Sequence, residues 1–156
     1  MADGLGQSAD PRQRRLLVQY AAAFANADAI ALARLLREDA VLELPPSPTW
    51  FAGRDQIAAF LAARVLGRPG DFTLVQVAAN GQPGFAAYRR DRDGRYRAHA
   101  VHVLTVDATS ISRVVSFNQP ELFPIFSLPP ILPPPSPSTP PSPSTPPGPS
   151  TAGTGQ

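Results

Sequence analysis

The sequence of 156 residues contains no cysteine and no lysine, so all 14 of its basic residues are arginine. The absence of cysteine excludes a disulfide-stapled fold and a thiolate metal site. No apolar run approaches the roughly 18–20 residues of a membrane span, and the N-terminus MADGLGQSADPRQRR lacks the pattern of a secretion signal. We therefore expect a cytoplasmic protein that does not contact a membrane.

Charge is missing from the end of the chain, because no charged residue follows Glu121. The last 28 residues contain 12 of the 20 prolines and are otherwise mostly serine, threonine and glycine. Such a segment has too few apolar side chains to offset the entropy of ordering it. We expect residues 128–156 to be a disordered, polyproline-type tail and residues 1–13 a disordered arm, with one domain at residues 14–127.

An excess of positive charge is also lacking, since the formal net charge is only +2. The densest basic stretch, residues 89–95, mixes arginine with aspartate, unlike the continuous basic surface of a nucleic-acid-binding protein. The two histidines, His99 and His102, lie three apart on a predicted strand and should face opposite sides of it. We expect no direct contact with nucleic acid, no metal site and no cofactor.

Two helix-start signals open the domain. Asp10 followed by Pro11 combines a capping carboxylate with proline at the first helical position. Asp28 can cap a second, shorter helix, which we expect to end near residues 38–39. The first helix should bury the apolar residues that recur at helical spacing, which are Leu16, Leu17, Tyr20 and Phe24.

The remaining elements are mostly strands. A strand is predicted at residues 40–44, and the prolines of residues 45–48 then indicate a rigid loop that leads to Trp50 and Phe51. A third helix should run from Arg54 to about Val65. Turn residues separate four further strands, predicted at residues 72–79, 85–90, 95–106 and 111–117. The order α-α-β-α-β-β-β-β predicts an α+β fold with helices on one face of a mostly antiparallel sheet.

The chain resembles the SnoaL-like branch of the nuclear-transport-factor-2-like superfamily in four segments, RLLREDAVLELPPSPTWFAGRDQIAAFLA, ANGQPGFAAYRR, YRAHAVHVLTV and ISRVVSFNQPELF. More narrowly, it is similar to the C-terminal domain of actinobacterial extracytoplasmic-function sigma factors, and the resemblance covers residues 14–127. It implies a cone-shaped fold of the cystatin and ketosteroid-isomerase kind. In that fold a curved sheet wraps a long N-terminal helix and leaves an apolar pocket.

The resemblance implies a ligand-binding role for residues near this pocket, which are Tyr20, Trp50, Phe51, Arg97, His99, Val101 and Phe117. The carboxylates of the family's isomerases and cyclases are missing from the matching positions, which are Leu44, Val101 and Gln119. His99 as a general base, with Tyr20 as a hydrogen-bond donor, is the catalytic alternative. Purely structural roles for both histidines stay open. Strict alternation along the strand would put Arg97, His99 and Val101 on the pocket face.

We therefore expect a non-catalytic SnoaL-like domain that binds a small apolar ligand or a protein partner, such as a sigma-factor or polymerase core, in the regulation of transcription. The resemblance also implies a homodimer. The alternative is a small isomerase or polyketide-cyclase-like enzyme that uses the pocket histidine and tyrosine. The promoter- and polymerase-binding regions of a sigma factor are not in this sequence, so we expect a free-standing relative or a fragment.

Overall fold

The computed structural model describes residues 10–79, 81–107 and 109–133. The chain begins with helix α1 (Pro11–Ala25) and helix α2 (Ala29–Leu35). Both start where the capping residues predict, because a carboxylate oxygen of Asp10 accepts the Arg12 N–H at 2.9 Å and one of Asp28 accepts the Ala31 N–H at 3.0 Å. The predicted N-terminal arm, residues 1–13, lies mostly outside the described residues, and α1 already includes its last three.

Strand β1 (Leu36–Glu43) begins immediately after α2, which corrects the expectation that the helix continues to residues 38–39. Leu36 has an extended backbone, with φ −88° and ψ 142°, and it pairs in parallel with Ile111. Leu36, Ala40 and Leu42 are buried. The apolar residues at this junction fit the helical period and the strand period equally well, so the sequence pattern does not locate the boundary.

The proline loop leads to a short strand, β2 (Trp50–Ala52), which pairs antiparallel with β1 and is absent from the predicted order of elements. Helix α3 (Arg54–Arg64) follows. The next elements are β3 (Phe72–Ala79), β4 (Gln82–Arg90), β5 (Tyr96–Val106), β6 (Ile111–Phe117) and a 3-10 helix (Pro120–Phe126).

The six strands form one sheet in the order β2-β1-β6-β5-β4-β3. The pairing of β1 with β6 is parallel and the other described pairings are antiparallel. Helices α1 to α3 pack on one face, where the larger core is built around Tyr20 and Phe24 of α1. The predicted α+β fold, a curved and mostly antiparallel sheet with a long N-terminal helix, is confirmed.

A bulge in β5 changes which of its residues face the helices. Ala87 of β4 pairs with Ala100, whereas the next residue, Tyr88, pairs with Ala98, so His99 is the extra residue. Ala98 and Val101 consequently belong to the same cluster on the outer face of the sheet. The expectation of strict alternation along this strand is therefore wrong.

The outer face carries a smaller core, which the C-terminal part of the described chain covers. Phe123 of the 3-10 helix is fully buried there, with its ring 5.0 Å from that of Tyr88. Beyond it, the Ala98 N–H donates to the Pro130 carbonyl at 2.8 Å and the Leu132 N–H donates to the Tyr96 carbonyl at 2.9 Å. Residues 128–133 therefore pack on the sheet, although they were assigned to the disordered tail. The rest of that predicted tail, residues 134–156, lies outside the described residues.

Among the described residues, no helix combines the length and the apolarity that crossing a membrane would require.

Candidate ligand-binding cavity

A cavity of about 290 Å³ lies between the three helices and the sheet. Its walls come from α1, α2, α3 and from every strand except β2. The apolar lining residues are Tyr20, Phe24, Leu32, Leu36, Leu42, Leu44, Ile57, Phe60, Leu61, Val65, Phe72 and Val114. The polar and charged lining residues are Arg64, Arg89, His99, His102, Ser116 and Asn118.

Strand periodicity explains which residues reach the cavity from the sheet. Leu42 of β1 and Leu44, the residue after the strand, line it. Glu43 between them forms an ion pair with Arg113 on the other face. None of the described lining residues is an aspartate or a glutamate. The cavity is therefore apolar in most of its wall and has no described carboxylate.

Tyr20 and His102, whose side chains share a hydrogen bond, are the most buried polar residues of the cavity wall. The Tyr20 hydroxyl and the His102 Nδ1 are 2.9 Å apart, and the two residues are only 3% and 4% exposed. Burial raises the pKa of Tyr20 and lowers the pKa of His102 to about 3, with a smaller contribution from the neighbouring His99. Both groups are therefore neutral near pH 7.

This pair retains one unused hydrogen-bond donor whichever tautomer His102 adopts. If the tyrosine hydroxyl donates to Nδ1, the imidazole proton is on Nε2; if Nδ1 donates instead, the tyrosine O–H remains free. Neither side chain has another hydrogen bond among the described residues. The cavity therefore presents a buried donor that a bound oxygen atom could satisfy.

His99 reaches the same cavity because it is the extra residue of the β5 bulge. Its ring lies 5.4 Å from the Phe72 ring, at an interplanar angle of 63°. Burial lowers the pKa of His99, and the positive charge of Arg89 lowers it further. Both histidines of the sequence therefore line one cavity, contrary to the expectation that they face opposite sides.

Two arginines reach the cavity from its solvent side. Arg64 is the last residue of α3 and Arg89 lies near the end of β4, and both are exposed. The Arg89 guanidinium carbon lies 6.0 Å from the centre of the Phe72 ring. Neither arginine has an ion pair within 4.0 Å among the described residues. The mouth of the cavity is consequently cationic.

The structure brings only two of the seven predicted ligand-binding residues into the cavity lining, Tyr20 and His99. Trp50 is 62% exposed on the edge strand β2. Phe51 stacks on Phe60 at 4.3 Å and lines an adjoining groove that shares Phe60 and Arg64 with the cavity. These positions depend on the pairing of β2 with β1, for which the proline loop gave no signal.

The other three predicted residues also lie outside the cavity lining. Arg97 forms an ion pair with Asp91, and Val101 is buried in the outer core because of the bulge. Phe117 pairs with Val101 and alternates with the lining residue Ser116, so it faces away from the cavity.

Five polar lining residues escaped the sequence analysis, namely Arg64, Arg89, His102, Ser116 and Asn118. Helical spacing could have predicted that Arg64 lies on the same face of α3 as Phe60, because residues four apart share a helix face. Strand alternation could have predicted that Ser116 and Asn118 face the cavity, because they lie two and four residues after Val114. The sequence held no signal for the bulge that brings His99 and His102 together.

Comparison with known proteins agrees with this architecture. The model of the SnoaL-like domain family matches residues 17–114, which is more than half of the chain. The chain belongs to the SnoaL-like domain family. Over 129 residues it is 36% identical to the ECF RNA polymerase sigma factor SigG of Mycobacterium tuberculosis strain H37Rv, a match that covers 82% of this chain. The chain spans 35% of the length of that relative.

Solved structures show the same fold at low sequence identity. A putative ketosteroid isomerase from Kribbella flavida is 24% identical, with a TM-score of 0.54 and coverage of 72% of this chain and 81% of that one. An NTF-2 like protein of unknown function from Burkholderia xenovorans is 18% identical, with a TM-score of 0.56 and coverage of 67% and 80%. At these identities the similarity concerns the fold alone.

Proposed function

We propose that this SnoaL-like domain is a non-catalytic binding domain whose cavity takes a small, mainly apolar ligand. The observation that carries the proposal is the cavity of about 290 Å³, with apolar side chains over most of its wall and a few convergent polar groups. Small-molecule sites generally have this composition, and their volumes start at about 300 Å³.

The polar groups of the cavity favour binding over proton transfer. General acid–base catalysis is most efficient when the pKa of the catalytic group is near the working pH. Burial moves the pKa of His102 down to about 3 and raises that of Tyr20, so both are shifted away from neutrality. Such groups are suited to donating and accepting hydrogen bonds in a fixed protonation state.

The regulatory setting of the proposal comes from similarity to a sigma factor. The relative named SigG is an ECF RNA polymerase sigma factor, and this chain matches about a third of it. We therefore propose that ligand binding acts in the regulation of a sigma factor in the cytoplasm, through contact with the sigma-factor or polymerase core. A homodimer is part of the same proposal, and sedimentation equilibrium would test it.

A neutral probe tests the binding proposal most simply. N-phenylnaphthylamine fluoresces in apolar sites and should bind the protein saturably. Val114→Phe places a larger side chain in the cavity wall and should weaken binding by at least about tenfold. The matched control is Val18→Phe, because Val18 is 67% exposed on α1, and it should leave binding unchanged.

The same titration can contradict the proposal. If the probe shows no saturable binding up to about 100 μM, the cavity does not act as a binding site for apolar ligands. If Val114→Phe binds as well as the parent protein, the probe binds elsewhere. Circular dichroism of both variants would establish that they are folded.

A second candidate, a small isomerase or cyclase, is favoured by one observation. His99 lies in the cavity wall with a lowered pKa, so its neutral ring is available as a base near pH 7. The test is turnover of a panel of enolisable ketones by the parent protein and by His99→Ala and Tyr20→Phe. Absence of turnover by the parent protein would remove this candidate, and turnover that both variants retain would remove the assigned residues.

A further inference from the structure

We infer that the cavity selects an amphipathic anion, with its negative group at Arg64 and Arg89 and an oxygen acceptor at its buried end beside Tyr20 and His102. This inference rests on the proposed function, since it requires that the cavity binds a ligand. It adds the chemical class of that ligand and its orientation. Each end of the cavity supplies independent support.

At the mouth, the charges of the two cavity arginines are not paired with a described acid. Four arginines form described ion pairs with acidic residues. These pairs are Arg37–Asp39, Arg90–Asp71, Arg97–Asp91 and Arg113–Glu43. Arg64 and Arg89 have no such partner, and no described lining residue supplies a carboxylate. The positive charge of Arg89 contributes to the lowered pKa of Asp71. That carboxylate, however, accepts hydrogen bonds from Arg90 and from the Arg68 N–H.

Arg64 also has a structural reason to be where it is, because a cation in the last turn of a helix interacts favourably with the helix dipole. Arg89 has no helix dipole beside it, and its described structural contact is with the Phe72 ring at 6.0 Å. It lies on a strand, and the alternation of β4 directs it to the face that carries Phe85 and Ala87 of the inner core. Two guanidinium groups beside an acid-free apolar cavity match a carboxylate or phosphate on an apolar ligand.

At the buried end, the Tyr20–His102 pair keeps one unsatisfied donor in either tautomer. A buried donor without an acceptor is unfavourable, so an oxygen atom is expected opposite it. A ketone, ether or hydroxyl oxygen on the ligand would fulfil this role. A cation would be disfavoured here, since both groups are neutral and the nearest charged residues at the mouth are positive.

The volume limits the size of the ligand. A cavity of about 290 Å³ corresponds to about ten water molecules at about 30 Å³ each. A molecule with one aromatic ring and a short acidic side chain fits within this volume. Benzoylpropionate has that size, a ketone in the middle and a carboxylate at one end.

Three related probes separate the two ends of the cavity in isothermal titration calorimetry. Benzoylpropionate should bind at least about tenfold more tightly than its methyl ester, which lacks the charge. It should bind about threefold to tenfold more tightly than phenylbutyrate, which lacks only the ketone oxygen. Raising the salt concentration should weaken binding of the two acids more than binding of the ester.

Variants then assign each preference to its residues. Arg64→Gln and Arg89→Gln should each reduce the preference for the acid over the ester, whereas Arg54→Gln, at the other end of α3 and outside the cavity lining, should not. The double variant Tyr20→Phe/His102→Phe removes both possible donors and should abolish the preference for the ketone. Tyr20→Phe/His102→Leu gives a second test of that preference if the first double variant does not fold.

The outcomes distinguish this inference from the function on which it rests. If N-phenylnaphthylamine binds in the cavity but the acid binds no more tightly than its ester, the anionic part of the inference is wrong and the proposed function stands. If the ketone preference survives in a folded double variant that lacks both Tyr20 and His102, the assigned orientation is wrong. If no probe binds, the proposed function and the inference fail together.

Discussion

Acidification from pH 7 to pH 5 should destabilise the protein because His102 is buried in its neutral form. Its pKa is lowered from 6.5 to about 3 in the folded protein. Below pH 6.5 the unfolded chain therefore binds a proton that the folded chain does not bind, and the free energy of unfolding falls as the pH falls. This loss continues down to about pH 3, where the folded state also takes up the proton.

The expected magnitude follows from the two pKa values. Each unit of difference is worth about 1.36 kcal/mol, and between pH 7 and pH 5 the two values correspond to a loss of about 2 kcal/mol. The lowered pKa of His99 acts in the same direction. The aspartates with lowered pKa, among them Asp39 and Asp107, contribute mainly at more acidic pH, because their ordinary value is 3.8.

Urea unfolding followed by circular dichroism at pH 7, 6 and 5 measures this loss. The sequence has only two histidines, so two variants account for all histidine titration. His102→Gln cannot titrate and should lose much less stability than the parent protein over this range. His99→Gln is the matched control and should retain most of the loss. A parent protein equally stable at pH 7 and pH 5, or an undiminished loss in His102→Gln, would refute the buried neutral histidine.

Three further substitutions test the packing on the two faces of the sheet, each by urea unfolding at pH 7. Gly84→Ala should destabilise by about 1–3 kcal/mol, because its Cβ would lie 2.4 Å from the backbone carbonyl oxygen of His102; unchanged stability would mean that the two strands separate easily. Phe123→Ala should cost about 3–5 kcal/mol, since this ring is fully buried in the outer core, and a cost below about 1 kcal/mol would show that the 3-10 helix adds little. Tyr20→Phe should cost about 1–3 kcal/mol by removing the hydrogen bond to His102, whereas a neutral effect would argue against that bond.

Local signals in the sequence predicted much of the fold. The capping carboxylates of Asp10 and Asp28 fix the starts of two helices because they satisfy free N–H groups within three residues along the chain. The turns between the later strands are equally local. Their positions, with the apolar spacing in α1, were sufficient to predict the α+β order.

The features that the sequence did not predict depend on pairing between distant residues. Strand β2 exists because Trp50 pairs with Glu43, and the bulge at His99 exists because β4 and β5 shift register beside it. Neither event has a distinctive residue of its own. The bulge changes the face of all later residues in β5, which explains why Val101 was assigned to the cavity and His102 was not.

The central claim, that the cavity is a ligand-binding site, can be tested at its two histidines. They are the only histidines of the chain, and both line the cavity. Selective labelling would make His99 and His102 reporters in an NMR titration with benzoylpropionate. The account predicts that both imidazole resonances shift and saturate with the calorimetric affinity. Saturable binding that leaves both resonances unmoved would contradict it.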